Sequence, residues 1–287
     1  MVDYKIAALV VTYNRLEMLK ECIAAIYSQT YKNIDIVVVN NGSTDGTKEY
    51  LDSNSDIVTI HQDNCGGAGG FYSGMKYMYE HDYDALWMMD DDGIPADRQL
   101  EYLVSDSIRY KIDYANALVI NKIDNSRTAA NTRYDKDEYD KRKIIWNKVS
   151  PFNGTLVWRH VIEKIGFIKK EMFIWGDETE YTNRVKYNNF KVGTITRAIH
   201  YHPPFKGILY NVIPYIPFGR IVYKPRPKDK IYIRNLGYID SVYKKGFFIK
   251  YLLYYMIRLK ISDFKYFWKY YRMGCKNDYS TDLLGEF

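Results

Sequence analysis

The chain reads as an α/β fold, a mostly parallel sheet covered by helices on both faces, followed by a basic, aromatic and largely helical extension. Three observations predict it. Four short apolar runs alternate with helical periodicity over about the first 110 residues, the rhythm of parallel strands joined by crossover helices. Each run ends in polar or turn-forming residues, and ligands of such sheets bind beyond the carboxyl ends of the strands. From Tyr201 onward the balance turns cationic, with 16 Lys and Arg against 6 Asp and Glu, a net +10 that leaves −4 for residues 1–200.

In order, residues 5–12 (KIAALVVT) form the first apolar run, and after Tyr13-Asn14-Arg15 the residues Leu19, Ile23 and Ile26 recur at helical spacing through 16–27. The second run, 34–39, ends at Asn40-Asn41-Gly42-Ser43-Thr44-Asp45-Gly46, where Thr44 or Asp45 caps a helix to about residue 51. The third, 57–60, leads through a glycine-rich loop to the amphipathic segment 71–79, and the fourth, 85–89, ends in Asp90-Asp91-Asp92 before a helix start near 95–97. Strands at 114–123, 153–158 and 192–199 and helices at 160–165 and 178–187 follow, with an aperiodic, charged excursion at 124–148. Prolines at 203, 204, 214, 217, 225 and 227 mark an irregular connector, so the boundary falls near Phe205. The expected organisation is a domain of residues 1–204, with halves of about 1–110 and 111–204, and an extension of 205–287.

A composition of 47% hydrophobic and 26% charged side chains excludes disordered and collagen-like chains. Three distant cysteines (Cys22, Cys65, Cys275) form neither a disulfide framework nor a zinc pair, which suggests a reducing compartment, the cytosol. The first residues carry no basic and then apolar leader, and no run of about 18 apolar residues occurs, so the expected protein is neither secreted nor membrane-spanning.

Asp90-Asp91-Asp92 is the sharpest local feature. Adjacent carboxylates repel unless a cation or strong donors offset them, and the first and third can point to one side and hold a divalent ion; a solvated acidic turn is the plainer alternative. Asn64-Cys65-Gly66-Gly67-Ala68-Gly69-Gly70-Phe71 follows a strand and opens a helix, a setting that lets backbone approach an anion, or a simple surface turn. Neither a P-loop nor a dinucleotide fingerprint fits its spacing. Trp175-Gly176-Asp177-Glu178-Thr179-Glu180-Tyr181 puts three acids at a helix start, where the dipole favours them anyway, yet one of them could serve as a general base. His200 and His202 share a face of a strand end, as polar groups or as metal ligands.

In this order, Val11-Thr12-Tyr13-Asn14-Arg15, Asn41-Gly42-Ser43-Thr44-Asp45-Gly46-Thr47, the Asn64 glycine stretch, Trp87-Met88-Met89-Asp90-Asp91-Asp92, Asn153-Gly154, residues 173–181 and Tyr201-His202 resemble the family 2 inverting glycosyltransferases of the GT-A fold. Within them the pattern is similar to the galactofuranosyltransferase and rhamnosyltransferase branch. The resemblance covers about residues 7–204 and implies a nucleotide-sugar half at 1–110 and an acceptor half at 111–204. By similarity, Thr12, Asn14, Arg15, Asn41 and Ser43 line the nucleotide end, Asn64, Gly66 and Gly67 lie beside uridine and ribose, and Asp90 and Asp91 also face the nucleotide-sugar. Asp90 and Asp92 match the D-x-D metal ligands, with His202 as the third ligand and His200 as a stand-in, around Mn²⁺ or Mg²⁺. Glu178 falls where the family places its catalytic base, with Asp177 before it. The sequence departs from the commoner pattern at Glu178, where an aspartate usually stands, and at Asn41, where an aspartate often does.

Such residues suit single displacement at the anomeric carbon of a UDP-sugar, galactofuranose first, with inversion. The alternatives are a rhamnosyltransferase using dTDP-rhamnose, a nucleotide-sugar-forming nucleotidyltransferase and a nucleic-acid-binding protein. The last is disfavoured because the first 200 residues are net negative and repel phosphate backbones. In residues 247–276, seven cations face one acid, and at helical spacing six of them fall within about a 100° arc. That pattern suits a basic amphipathic helix on an anionic membrane surface, or a helix packing its apolar face on the first domain. A lipid-linked glycan acceptor, which the resemblance implies, fits a cytoplasmic protein peripheral on the inner face of the cell membrane.

Overall fold

The structure is a computed structural model, and it describes residues 3–125, 141–204, 207–216, 219–280 and 283. Most of the excursion at 124–148 and the boundary residue Phe205 lie outside the described residues. The chain divides into two compact units, Met1–Lys170 with Tyr181–Phe205, and Glu171–Glu180 with Lys206–Phe287.

The first unit is built on β1 (Ile6–Thr12), β2 (Ile34–Asn40), β3 (Ile57–His61) and β4 (Ala85–Asp90), which pair in parallel in the order β3-β2-β1-β4. β8 (Asn153–Trp158) runs antiparallel to β4 and to β6 (Tyr114–Asn121), and β9 (Val192–His202) lies parallel to β6. Short β5 (Ile94–Pro95) and β7 (Ile144–Trp146) pair antiparallel with β9. β6 and β9 therefore point the same way as β1, and Thr12, Asn40, His61, Asp90, Asn121 and His202 all finish at one edge. All seven residues of β1 are buried, as a strand covered on both faces must be.

Helix α1 (Leu16–Tyr27) buries Leu19, Cys22, Ile23 and Ile26, one stripe at i, i+3, i+4 and i+7, against this sheet. Helices α2 (Thr47–Asp52), α3 (Gly66–Glu80), α4 (Gln99–Tyr110) and α5 (Arg159–Ile165) complete the layers. α3 differs from the expectation of a glycine loop before a helix at 71, because its glycines lie inside the helix. A Cβ on Gly70 would collide with Val11, and one on Gly74 with Leu9, so the helix backbone rests directly on β1. That close contact offsets the roughly 1 kcal/mol that each glycine costs in a helix. β9 also runs three residues beyond the expected end. Its register against β6 jumps from Ala117↔Ile195 to Leu118↔Ile199, leaving Thr196, Arg197 and Ala198 as a bulge. Arg197 anchors that bulge by a two-pronged bond to the buried Asp106 at 2.7 Å for each prong.

The second unit has a hairpin of β10 (Ile208–Asn211) and β11 (Arg220–Tyr223) inside the stretch expected to be irregular, then α7 (Asp229–Tyr243), α8 (Phe247–Ile257) and α9 (Ile261–Cys275). The single basic helix expected across 247–276 is two helices. Leu259 at φ 54° breaks it, so the cations share no continuous stripe. Tyr251, Tyr254, Phe267 and Tyr271 are buried with Val212, Ile221, Ile233 and Leu236 in this unit's own core. α7 and α9 touch through glycine: a Cβ on Gly237 would strike the Tyr271 carbonyl, and one on Gly274 the Arg234 carbonyl. Residues 171–180, expected in the first domain, cluster here because the buried Asn235 Nδ2 reaches the carbonyls of Met172, Ile174 and Trp175 at 2.9, 3.1 and 2.9 Å.

Candidate active site

The acidic turn follows β4, closed by Gly93 N donating to Asp90 O at 3.2 Å. Its middle member faces inward. Asp91 is only 3% exposed, and it accepts from Thr12 Oγ1 at 2.8 Å and from Arg15 at 3.1 Å. Burial pushes its carboxyl above the ordinary range, against the pull of Arg15 and Thr12. Arg15 also reaches Asp92 Oδ2 at 3.1 Å, so one guanidinium offsets two neighbouring carboxylates. Asp91, expected to face the nucleotide-sugar, instead ties the turn to the end of β1.

At the end of β9, the His202 Nδ1 lies 2.7 Å from Pro203 O, a contact that orients the ring and leaves Nε2 toward the acids. Nε2 is 3.2 Å from Asp92 Oδ1, an ion pair without hydrogen-bond alignment, so that buried oxygen has no donor aimed at it. One ligand atom each from Asp90, Asp92 and His202 lies within 4.8 Å of the others. Burial would raise the Asp92 carboxyl, but His202 and Arg15 outweigh it and hold it below the ordinary range. Two carboxylate oxygens, one of them an orphan, and one imidazole nitrogen are a donor set that fits Mn²⁺ or Mg²⁺.

His200 is placed differently. It is fully buried, and burial pushes it down to about 3, so it stays neutral. With the Gln99 amide oxygen accepting from Trp87 Nε1 at 3.2 Å, the amide nitrogen donates to His200 Nδ1 at 3.2 Å. Gly93 and Gly154 make its room, since a Cβ on Gly93 would strike His200 and one on Gly154 would strike Gln99. His200 thus supports the acidic turn from beneath.

The loops after β1, β2 and β3 are knitted together. Asn14, at φ 53°, donates from its N to Ser43 Oγ at 3.0 Å and accepts from Thr44 N at 2.7 Å, while Asp45 caps α1 at Leu16 N at 3.0 Å. Ser43 N donates to Asn40 Oδ1 at 3.0 Å. The buried Asn41 donates to Asn64 Oδ1 at 3.2 Å and to Gly66 O at 3.0 Å, and accepts from Gln62 at 2.8 Å. Its side chain latches the loops and leaves no group for a ligand. Asn14, Arg15 and Asn64 are exposed, and a Cβ on Gly67 would meet open space. Sequence reasoning missed Asn40 and Gln62, polar residues at or just past strand ends, and Gln99, a polar residue that opens α4.

In the second unit, Trp175 at φ 61° and Gly176 at φ 110° turn the chain into α6 (Asp177–Tyr187). Asp177 and Glu180 are buried, with Tyr243 Oη donating to Glu180 Oε1 at 2.8 Å. Glu178 is half-buried and accepts from Gly176 N at 3.2 Å, so it is the accessible acid of the first two. The Lys224 ammonium sits 4.2 Å over the Trp175 ring. Burial lowers its pKa, while the charge of Glu178 opposes that fall.

Comparison with known proteins gives a consistent picture. The model of glycosyl transferase family 2 matches residues 7–173. Galactofuranosyltransferase GlfT1 of Mycolicibacterium smegmatis is 29% identical over 267 residues, covering 82% of this chain and 83% of its own. Glycosyltransferase AglE of Haloferax volcanii is 27% identical over 215 residues, with coverage of 71% and 69%. Among solved structures, S. aureus TarS superposes with a TM-score of 0.56 at 14% identity, over 83% of this chain and 40% of that chain. The TarS 1-349 structure in complex with UDP gives 0.54 at 15% identity, over 83% and 66%. This chain spans less than half of the full TarS chain, and at such identity the likeness is one of fold.

Proposed function

Because the chain belongs to glycosyl transferase family 2, we propose that it transfers a sugar, galactofuranose first, from its UDP conjugate to a hydroxyl of a lipid-linked or growing cell-surface glycan, with inversion. The observation that carries the metal-assisted form of this reading is the convergence of Asp90, Asp92 and His202. The choice of sugar is supported by the GlfT1 relatives, which match most of the chain. The family match leaves the nucleotidyltransferase and nucleic-acid readings without support.

A divalent ion held by Asp90, Asp92 and His202 would neutralise charge growing on the leaving diphosphate. The chain's own residues do the rest. Arg15 and Thr12 fix the acidic turn, and Asn14, Ser43, Asn64 and Gly67 contact the nucleotide. Glu178 takes the proton of the attacking hydroxyl as the new bond to the anomeric carbon forms and the bond to diphosphate breaks. Residues 1–110 serve the donor and 111–204 the reacting end of the acceptor.

Among the described residues no helix is long and apolar enough to cross a membrane. Met256, Leu259 and Ile261 are nonetheless exposed around the α8–α9 turn, Leu259 by 84%, with Lys250, Lys260 and Lys265 in the same stretch. We assign this tip, in place of a long basic helix, to peripheral contact with an anionic membrane on its cytoplasmic face.

The test is a donor-hydrolysis panel of UDP-galactofuranose, UDP-glucose and dTDP-rhamnose with Mn²⁺ and with chelator. Fastest turnover of UDP-galactofuranose, lost on chelation, is the expected result. Preference for dTDP-rhamnose, or indifference to chelator, would overturn it.

A further inference from the structure

Thirteen of the chain's 30 tyrosines lie beyond residue 204, and six of them converge on one cleft of the second unit, formed by the β10–β11 hairpin, α7 and α8. Tyr232, Tyr251 and Tyr255 form its floor. Tyr210 and Tyr223 face each other edge to face across the hairpin at 5.7 Å, and Tyr210 meets Tyr254 at 6.0 Å. The rim is open, since Tyr210 is 38% and Tyr223 44% exposed. The hydroxyls of Tyr210, Tyr223, Tyr254 and Tyr255 take no hydrogen bond from any described residue. Rings left uncovered and hydroxyls left unpaired are poor core packing and good ligand chemistry.

Of the three cations that line the cleft two are offset within it, and the third, Lys224, sits 4.2 Å over the Trp175 ring. Arg226 reaches Asp263 at 2.9 Å and Asp229 at 3.8 Å, and Lys260 lies 3.9 Å from Asp263. At the Arg226 and Lys260 end an anion would meet cations already paired and two carboxylates beside them. A neutral polyhydroxyl ring suits the site better. Its polarised C–H faces lie on the negative faces of the tyrosines, and its hydroxyls find both donors and acceptors. The volume, about 130 Å³, holds about four waters, the scale of one sugar ring.

The cleft adjoins the acid proposed as base. Lys224 lines it and sits 4.2 Å over the ring of Trp175, three residues before Glu178 in the same turn. We infer that this cleft is an acceptor subsite that binds one neutral sugar unit of the glycan chain through Tyr210, Tyr223 and the Arg226–Asp263 pair. The inference rests on reading Glu178 as the base of a glycosyltransferase.

The test is saturation-transfer NMR and calorimetry on the full chain carrying Glu178→Gln. The probes are galactofuranosyl, rhamnosyl and glucosyl disaccharides, with inorganic phosphate and pyrophosphate beside them. One neutral disaccharide should bind through its ring C–H protons. Tyr210→Ala and Tyr223→Ala should each weaken it about tenfold, and Tyr210→Phe and Tyr223→Phe by no more than about threefold, with thermal unfolding checking that every variant is folded. Binding that ignores both alanine changes, absence of any disaccharide binding, or phosphate binding alone overturns the subsite. Donor hydrolysis by the unaltered protein, measured without acceptor, tests the transferase reading separately: its failure with disaccharide binding intact removes the enzyme and leaves the sugar site.

Discussion

Thr12 and Asp91 are joined by a buried hydrogen bond of 2.8 Å, although one ends the first strand and the other follows the fourth. With the middle acid turned inward, Asp90 and Asp92 each offer one oxygen within 4.8 Å of the His202 imidazole. Three adjacent carboxylates thus divide into one structural pin and two outward groups. Thr12→Val removes the donor and leaves a buried carboxylate short of a partner, which should lower stability by about 1–3 kcal/mol. Urea unfolding measures this, and a loss below about 0.3 kcal/mol would show the bond to be incidental.

Asp92→Ala should weaken Mn²⁺ binding and reduce sugar transfer by about 10²-fold or more. Electron paramagnetic resonance of added Mn²⁺ reads the first effect without any substrate. Unchanged Mn²⁺ affinity would remove Asp92 from the ligand set.

For Glu178→Gln the expected fall in transfer kcat is about 10²- to 10⁴-fold, the range for loss of a general base, with donor KM little altered. Asp177→Asn should cost less than about tenfold, because Asp177 is buried at the helix start. The reverse ranking would transfer the role to Asp177.

Flotation with liposomes addresses the membrane contact. The protein should rise with vesicles containing anionic lipid, and Met256→Glu with Leu259→Glu should leave most of it in the soluble fraction. Equal flotation of the double variant would place the contact elsewhere.

Gly237→Ala forces a methyl group into the Tyr271 carbonyl, a backbone atom that cannot swing aside. Destabilisation of about 1–3 kcal/mol is expected from such overpacking, read as a lowered Tm. Gly67→Ala, with open space at its Cβ, is the matched control and should fall within about 1 kcal/mol.

Much of the fold was legible because local signals and packing agree. In α1 the apolar stripe and the covered face coincide, and in β1 a fully apolar run marks a strand buried on both sides. The glycines of α3 misled because their reason lies on another element, at Val11 and Leu9, which no local window contains. The break at Leu259 was hidden for a similar reason: Met256, Arg258, Leu259 and Lys260 are good helix formers, while Arg258 donates to the Val212 and Asn211 carbonyls, which no local window contains. At the site, the order of motifs named Asp90, Asp92 and His202. Which polar groups turn inward, as Asp91 and Asn41 do, depends on neighbours from other strands and was not readable from spacing.

The bulge at Thr196, Arg197 and Ala198 acts as a parity setter. Side chains alternate along a strand, so inserting one residue among those three would move Tyr201 into the position His202 holds beside the acids. A protein altered only there would keep every ligand in its sequence and still lose its nitrogen donor, and inventories of motif residues would not reveal the defect.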